Sequence, residues 1–314
     1  MGLSLTTSWL RSRIEDDYPP LGRFVAVDGV RLHVLDVPAK TVDAPVLLIL
    51  HGAACSLRDP YAAFAPALDG RMRMIFVDRP GHGYSGHEEI VLSGPAAQAR
   101  LAAGVLEALG IARAIVVGHS FGGAVAAAFA VHHPERTAGL VMIAPATHPW
   151  PGGIAWSYDL VSMPVVGSLL SHTIVTPLGL TMIEKSLQEV FAPEPVPRGF
   201  AERAGVPLTI RPAAFRATSL EVSALKEHLA ELAPLYRTIA APTVVVTGDA
   251  DGVVPTAVHA ARFAAAVKGA RHIELPGAGH MPHHTRTADV VAAIEAVVAR
   301  AANPAKPRRG SRQA

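Results

Sequence analysis

The sequence predicts an α/β fold: a mostly parallel, doubly wound sheet of eight strands, interrupted after the sixth strand by an inserted helical segment. Three observations carry this. Short apolar runs alternate with helix-length segments along the first half of the chain, a proline-rich stretch from Pro145 to Thr243 breaks the alternation, and strand and helix patterns then resume. With 314 residues, 50% of them hydrophobic and only 17% charged, the chain has enough apolar side chains to close a substantial core.

Residues 1–23 read as an N-terminal extension ahead of a core made of residues 24–145 and 241–302. Phe24 to Asp28 and Arg31 to Val37 read as two strands joined at Asp28-Gly29, a dipeptide suited to a tight hairpin. Val46 to Leu50, Met74 to Val77, Ala114 to Val117 and Leu140 to Ile143 are apolar without alternation, as expected of parallel strands covered on both faces. Tyr61 to Leu68, Pro95 to Leu109 and Phe121 to His132 supply helices between them, the second stopping at Gly110, where a left-handed cap fits. Residues 146–240 form the inserted helical cap. Its first half, Ile154 to Ile183, is rich in Leu, Val, Met and aromatic residues with Asp159 as its only charge, and Leu220 to Leu235 has an amphipathic helical pattern. That makeup suits a lid over an apolar cleft, although a subdomain packing for stability alone would have it too. The sheet finishes with Thr243 to Thr247 and His272 to Leu275 around a helix from Thr256 to Val267. A helix from Ala288 to Ala302 closes the core, and residues 303–314, with Lys306, Arg308, Arg309 and Arg312, read as a disordered basic tail.

Lys+Arg at 28 against Asp+Glu at 26 leaves a formal charge of +2, too small a field to suggest nucleic acid as a partner. A small uncharged molecule fits better, bound by a monomer or homodimer. Cys55 is the single cysteine, so an intramolecular disulfide is impossible and a reducing, cytoplasmic setting is the expectation. Leu160 to Leu180 comes nearest to a membrane-length apolar run, and Pro164, Gly167 and Pro177 break it, so no transmembrane segment is predicted.

The residues suited to chemistry sit at strand ends. Val116-Val117-Gly118-His119-Ser120-Phe121-Gly122-Gly123 runs from a strand through Gly-x-Ser-x-Gly into an Ala-rich helix, a nucleophile elbow. So tight a turn requires bare positions at Gly118 and Gly122, holds the Ser120 hydroxyl above the sheet and aims the Phe121 N–H at the same spot from a helix N-terminus. A serine hydroxyl is a weak nucleophile and needs a base within hydrogen-bond reach and a carboxylate to orient that base. Asp251, in Gly248-Asp249-Ala250-Asp251-Gly252-Val253, is the expected acid, with Asp249 as a competitor read as a loop cap. His280, in Pro276-Gly277-Ala278-Gly279-His280-Met281-Pro282, is the expected base; His283 and His284 read as helix-start residues and His272 as a strand residue. Pocket candidates flanking these loops are His119, Ala54, Trp156, Val253 and Met281. The histidines show no ligand-like spacing with carboxylates, so no metal is implied and no cofactor is required.

Together with His51-Gly52-Ala53 after the third strand and Asp78-Arg79-Pro80-Gly81-His82-Gly83-Tyr84-Ser85 after the fourth, these motifs make residues 24–300 resemble the α/β-hydrolase superfamily. The resemblance implies a second oxyanion donor, the N–H of Ala53, beside that of Phe121. It leaves His51, Arg79 and His82 as loop-shaping residues and Cys55 as a small buried one. The implied activity is hydrolysis of carboxylic esters of apolar small molecules through a Ser120–His280–Asp251 triad. Serine at the elbow speaks against haloalkane dehalogenases and epoxide hydrolases, which use aspartate there, and Gly-His-Ser-Phe-Gly differs from the Gly-Gly-Ser-Trp-Gly of proline iminopeptidases. Carbon–carbon bond hydrolases of ring-fission products, which would want a basic lid residue such as Arg198, Arg211 or Arg216, and cofactor-free haloperoxidases or perhydrolases stay open, as does a non-catalytic ligand-binding relative.

Overall fold

In the computed structural model of the chain, which describes residues 2–86 and 93–303, the strands are β1 (Arg23–Val27), β2 (Val30–Val37), β3 (Val46–Leu50), β4 (Arg73–Val77), β5 (Ala114–His119), β6 (Thr137–Ile143), β7 (Thr243–Gly248) and β8 (Arg271–Leu275). They form one sheet in the order β1-β2-β4-β3-β5-β6-β7-β8, with β2 antiparallel to β1 and β4 and every later pairing parallel. Asp28 and Gly29 both take left-handed φ, 48° and 81°, as a two-residue turn between twisted antiparallel strands requires.

The core helices are α1 (Gly2–Asp17), α2 (Arg58–Ala67), α3 (Pro95–Ala108) and α4 (Phe121–His132). The segment between β6 and β7 holds α5 (Trp156–Ser162), α6 (Pro164–Leu170), α7 (Thr176–Phe191), α8 (Phe200–Arg203) and α9 (Pro212–Leu232); after β7 come α10 (Ala260–Ala266), α11 (Pro282–Thr285) and α12 (Thr287–Ala302). Leu48, Leu50, Val116 and Met142 pack with α3 and α4, whereas Leu47, Ile49, Val117 and Val141 pack with α2 and α12. Successive residues of one strand thus enter different cores, which is why runs such as Val46–Leu50 show no polar alternation.

The N-terminal extension gains a structure, and three expectations need revision. The N-terminal extension is largely a helix, α1, and it is tied to the inserted segment: Thr7 Oγ1 donates to the Thr173 carbonyl at 2.7 Å and Glu15 pairs with Arg211 at 2.8 Å. Helix α9 starts eight positions before Leu220, with Pro212 in its first turn, where the missing N–H costs nothing. Helix α10 is shorter than Thr256 to Val267 because Thr256 Oγ1 is drawn to the Gly248 carbonyl at 3.1 Å. Finally, Pro164, Gly167 and Pro177 do not break the apolar run. Pro164 sits in the first turn of α6, and a π turn at Ser171–Val175 leads into α7 with Pro177 in its opening turn, so Pro164–Phe191 is one continuous helix of 28 residues. By length and composition alone it could cross a membrane; only 17% of its most apolar window is buried. The basic-tail reading falls on residues 304–314, outside the described residues.

Candidate active site

The elbow is enforced by close contact. A Cβ at Gly118 would lie 2.3 Å from the Gly122 carbonyl oxygen, and one at Gly122 would lie 2.3 Å from the Leu50 carbonyl oxygen, so both positions exclude every side chain. Ser120 between them takes φ 52° and ψ −118°, a strained conformation for a residue with a side chain. The strain lifts Ser120 out of the strand at the first turn of α4. There the N–H of Phe121, the first residue of the helix, has no intrahelical acceptor and faces outward with the positive end of the dipole.

Ser120 Oγ lies 3.0 Å from His280 Nε2, and His280 Nδ1 lies 2.8 Å from Asp251 Oδ2. Asp251 Oδ1 accepts the N–H groups of Val253 at 2.8 Å and Val254 at 2.9 Å, so this carboxylate has partners on both oxygens and cannot swing away from the histidine. Asp249 is elsewhere: its Oδ1 accepts the Gly277 N–H at 2.7 Å, the loop-capping role expected of it. Across the cleft, a Cβ at Gly52 would meet His119 Nδ1 at 3.0 Å and Ser120 Cβ at 3.2 Å, so the turn carrying Ala53 runs directly against the serine. Ala54, the next residue, is held at φ 48°.

A buried polar shell fixes this turn. His51 Nδ1–H donates to the Gly52 carbonyl at 2.8 Å while its Nε2 accepts the Arg79 N–H at 3.0 Å, and burial, with Arg79 beside it, pushes His51 down to about 3. The ring is therefore a neutral connector. The Arg79 guanidinium, 1% exposed, donates to the His51 and Gly52 carbonyls at 2.9 Å each, to Gln98 Oε1 at 2.9 Å and to Glu221 Oε1 at 2.7 Å, and stacks 4.5 Å over the Phe121 ring. Glu221 comes from α9, so this ion pair locks the inserted segment to the loop beside the serine. His82 Nε2 also approaches Glu221 Oε2, at 3.4 Å. Sequence reasoning missed Glu221. Its signal was an acidic residue on the stripe that also holds Ala217, Leu225, Leu229 and Leu232, all buried on α9.

On the other side of the triad, His119 Nε2–H donates to the His280 carbonyl at 3.0 Å, and its ring packs 4.3 Å from that of His283. Asp59 on α2 accepts from His283 Nε2 at 3.3 Å and His284 Nε2 at 2.9 Å. Burial opposes ionisation of Asp59, but the His283 and His284 contacts outweigh it and hold the carboxyl well below its usual range. Burial lowers His283 to about 4 and keeps His119 neutral. Asp59, His119 and His283 bring potential ligand atoms within 4.8 Å of one another, a cluster that sequence spacing did not reveal because α2, β5 and α11 supply one member each. Its carboxylate is already engaged by the His283 and His284 rings, whereas His119 Nδ1 and His283 Nδ1 are buried without a hydrogen-bond partner among the described residues.

The pocket expectations are largely corrected. His119 is buried beneath His280 rather than lining an opening, because its Nε2 is needed by the His280 carbonyl. Met281 is buried against Phe191 and Phe200. Trp156 is 75% exposed at the start of α5, whereas Ala54 and Val253 are exposed on the two loops nearest the triad. Cys55 next to Ala54 is partly buried, and desolvation, then the nearby Asp59 charge, pushes its thiol well above its ordinary range, which leaves it a poor nucleophile.

Comparison with known proteins agrees with this arrangement. Over 193 residues the chain is 33% identical to a 2-hydroxymuconate semialdehyde hydrolase of Pseudomonas putida, covering 59% of this chain and 64% of the relative. Over 249 residues it is 28% identical to a pimeloyl-[acyl-carrier protein] methyl ester esterase of Edwardsiella ictaluri, covering 75% and 86%. The matches to 2-hydroxy-6-oxononadienedioate/2-hydroxy-6-oxononatrienedioate hydrolases of Burkholderia vietnamiensis and Paraburkholderia phymatum span little more than half of those relatives, 55% and 52%. An enol-lactonase of Burkholderia xenovorans superposes with a TM-score of 0.72 at 22% identity, covering 88% of this chain and 100% of the other, a likeness of fold. A profile of the α/β hydrolase fold family matches residues 45–287, from β3 through the His280 loop to the start of α12. That match spans β3 to β8, with Ser120 after β5 and Asp251 and His280 after the last two strands, and the chain belongs to the α/β hydrolase fold family.

Proposed function

We propose that the chain is a serine hydrolase that cleaves esters of uncharged, apolar molecules through an acyl-enzyme. The observation that carries this reading is the continuous Ser120–His280–Asp251 chain, at 3.0 and 2.8 Å, with the acid pinned by two backbone N–H groups. Ser120 Oγ attacks the ester carbonyl as His280 Nε2 takes its proton; the imidazolium is stabilised by Asp251 through Nδ1–H. The tetrahedral oxygen is received by the N–H groups of Phe121 and Ala53, a pair worth several kcal/mol of barrier. The imidazolium then protonates the leaving alkoxide, and water, activated by the same ring, releases the acid.

Carbon–carbon bond hydrolysis of a ring-fission product is the second reading, favoured by the Pseudomonas putida relative. A carboxylate-bearing substrate would need a free cation, and two of the three candidate arginines of the inserted segment are engaged. Arg211 is tied to Glu15 and the Leu208 carbonyl, Arg216 to the Val161 and Met163 carbonyls, and Arg198 lies exposed. The deciding experiment runs p-nitrophenyl esters from acetate to long chain against a ring-fission dienoate, with wild type and Ser120→Ala in parallel. Ester turnover that falls by at least about 10⁴ in the variant, with an unchanged Tm, supports the proposal. Dienoate cleavage with every ester left untouched rejects it in favour of the second reading.

A further inference from the structure

The apolar insert was expected to face a cleft, yet much of it faces out. On α6, the π turn and α7, Val165 is 81% exposed, Leu169 64%, Leu178 56%, Ile174 43% and Met182 42%. Helix α1 packs against this same stretch and adds Leu3, Leu5 and Trp9, at 57%, 67% and 57% exposed. No charged residue occurs between Asp159 and Glu184. A continuous apolar face of this kind on a folded chain marks contact with something that is not water.

The polar groups on the face identify the occupant. Thr173 Oγ1 donates to the Leu169 carbonyl at 2.7 Å, Thr181 Oγ1 to that of Leu178 at 2.7 Å and His172 Nδ1–H to that of Ser168 at 2.8 Å, while Ser171 is buried on the inner side. These bonds stay within the helix, and Pro164–Met182 holds no Asp, Glu, Lys or Arg that a protein partner would pair across an interface. A charge-free surface whose threonine hydroxyls are turned back on the helix suits hydrocarbon, where an unpaired donor is penalised, better than it suits a protein interface, which carries roughly one hydrogen bond per 100–200 Å². Both ends of the 28-residue helix return into the fold, and its inner side packs on α9, so it lies along a bilayer rather than spanning it. At the margin, Arg13 lies 5.3 Å over the Trp9 ring, and Lys185 follows Glu184 where the charge-free stretch ends, basic groups that sit readily at headgroup level.

We infer that the outer face of Pro164–Met182 together with α1 docks on the surface of a lipid assembly by shallow burial of its apolar side chains. The docking is independent of the proposed chemistry and would stand if the ester reading failed.

The test is flotation of the full chain with vesicles of pure phosphatidylcholine, in which attraction to anionic lipid plays no part. Wild type is expected to float with the vesicles at both low and high salt. Val165→Glu/Leu169→Glu/Leu178→Glu is expected to partition at least tenfold less while keeping its Tm and its turnover of a short soluble ester. Should that variant unfold, quenching of wild-type Trp fluorescence by bromine-labelled acyl chains gives the same answer, since Trp9 lies on the face. Wild type that stays in the aqueous fraction with unquenched fluorescence overturns the inference. So does a wild-type dimer that the triple variant converts to monomer, which would make a second copy the occupant.

Discussion

The strand-end core and the outer face of the inserted helices treat polarity in opposite ways. Beside the triad, His51, Asp59, Asp78, Arg79, His119, His283 and Glu221 are each 4% exposed or less, yet every one has a hydrogen-bonded partner. On α6 and α7, large apolar side chains stand in solvent with nothing over them. The first arrangement is costly to desolvate, with His119 Nδ1 and His283 Nδ1 even left without a partner among the described residues, and is repaid in positional accuracy, because the bonds that are made hold each group in one geometry. The second contributes little to folding. Geometry at the site and affinity at the surface are thus separate properties of this chain, and substitutions should separate them.

The largest expected effect lies within one loop. Asp251→Asn keeps the shape but removes the charge that fixes the His280 tautomer, and should lower kcat by about 10⁴. Asp249→Asn, whose parent only caps Gly277 N–H, should stay within about tenfold. Steady-state kinetics on one soluble ester compare the two, and equal losses would return the acid role to doubt.

Next in size is the tie between the core and the insert. Arg79→Met leaves Glu221 buried without its cation and should cost about 3–5 kcal/mol in urea unfolding. Arg79→Met/Glu221→Leu should recover part of that loss, though not all, because Arg79 also serves the His51 and Gly52 carbonyls. A double variant no more stable than the single one would mean that the carbonyl contacts, and not the ion pair, dominate.

The same shell makes stability depend on pH. His51 and His283 are held near 3 and 4 in the fold, below the ordinary value of about 6.5 expected when unfolded, so folding favours their neutral forms. Their contribution is fully present above about pH 6.5 and is lost as pH falls toward the folded values, at up to about 1.4 kcal/mol per pH unit for each group. Asp59, depressed in the fold, adds its own loss only below the ordinary carboxylate range. Urea midpoints should therefore drop from pH 7 to pH 5, less steeply in His283→Gln, which retains an N–H for Asp59. A flat profile over that window would contradict the neutral-histidine description.

The contrast also explains what could be read from the sequence. Strands such as Val46–Leu50 and the Gly118-to-Gly122 elbow are legible because local rules dictate them: burial on both faces in one case, a turn with no room for Cβ in the other. Asp251 and His280 were readable as loop residues following strands. Glu221, Asp59 and the role of His119 were not, since their partners lie on other elements and only the three-dimensional fold joins them. The exposed outer side of the apolar insert was not legible for a related reason: hydropathy says that Val165 and Leu169 avoid water, but not on which side of the helix they find something else.

The smallest expected effect is at that outer face. Leu169→Glu and Leu178→Glu, made singly, should each change unfolding stability by no more than about 0.5 kcal/mol, because both side chains are more than half exposed and nothing collapses when they change. Leu225→Ala, on the buried stripe of α9 at 5% exposure, should cost about 2–4 kcal/mol by leaving a cavity against the core. The pair of measurements asks whether the outer residues of the insert are core in disguise. If Leu169→Glu destabilised as much as Leu225→Ala, the face would be packed in solution and its exposure would be no property of the folded chain. A neutral Leu169→Glu would mean that folding does not require an apolar residue there, so the demand for one must come from outside the molecule.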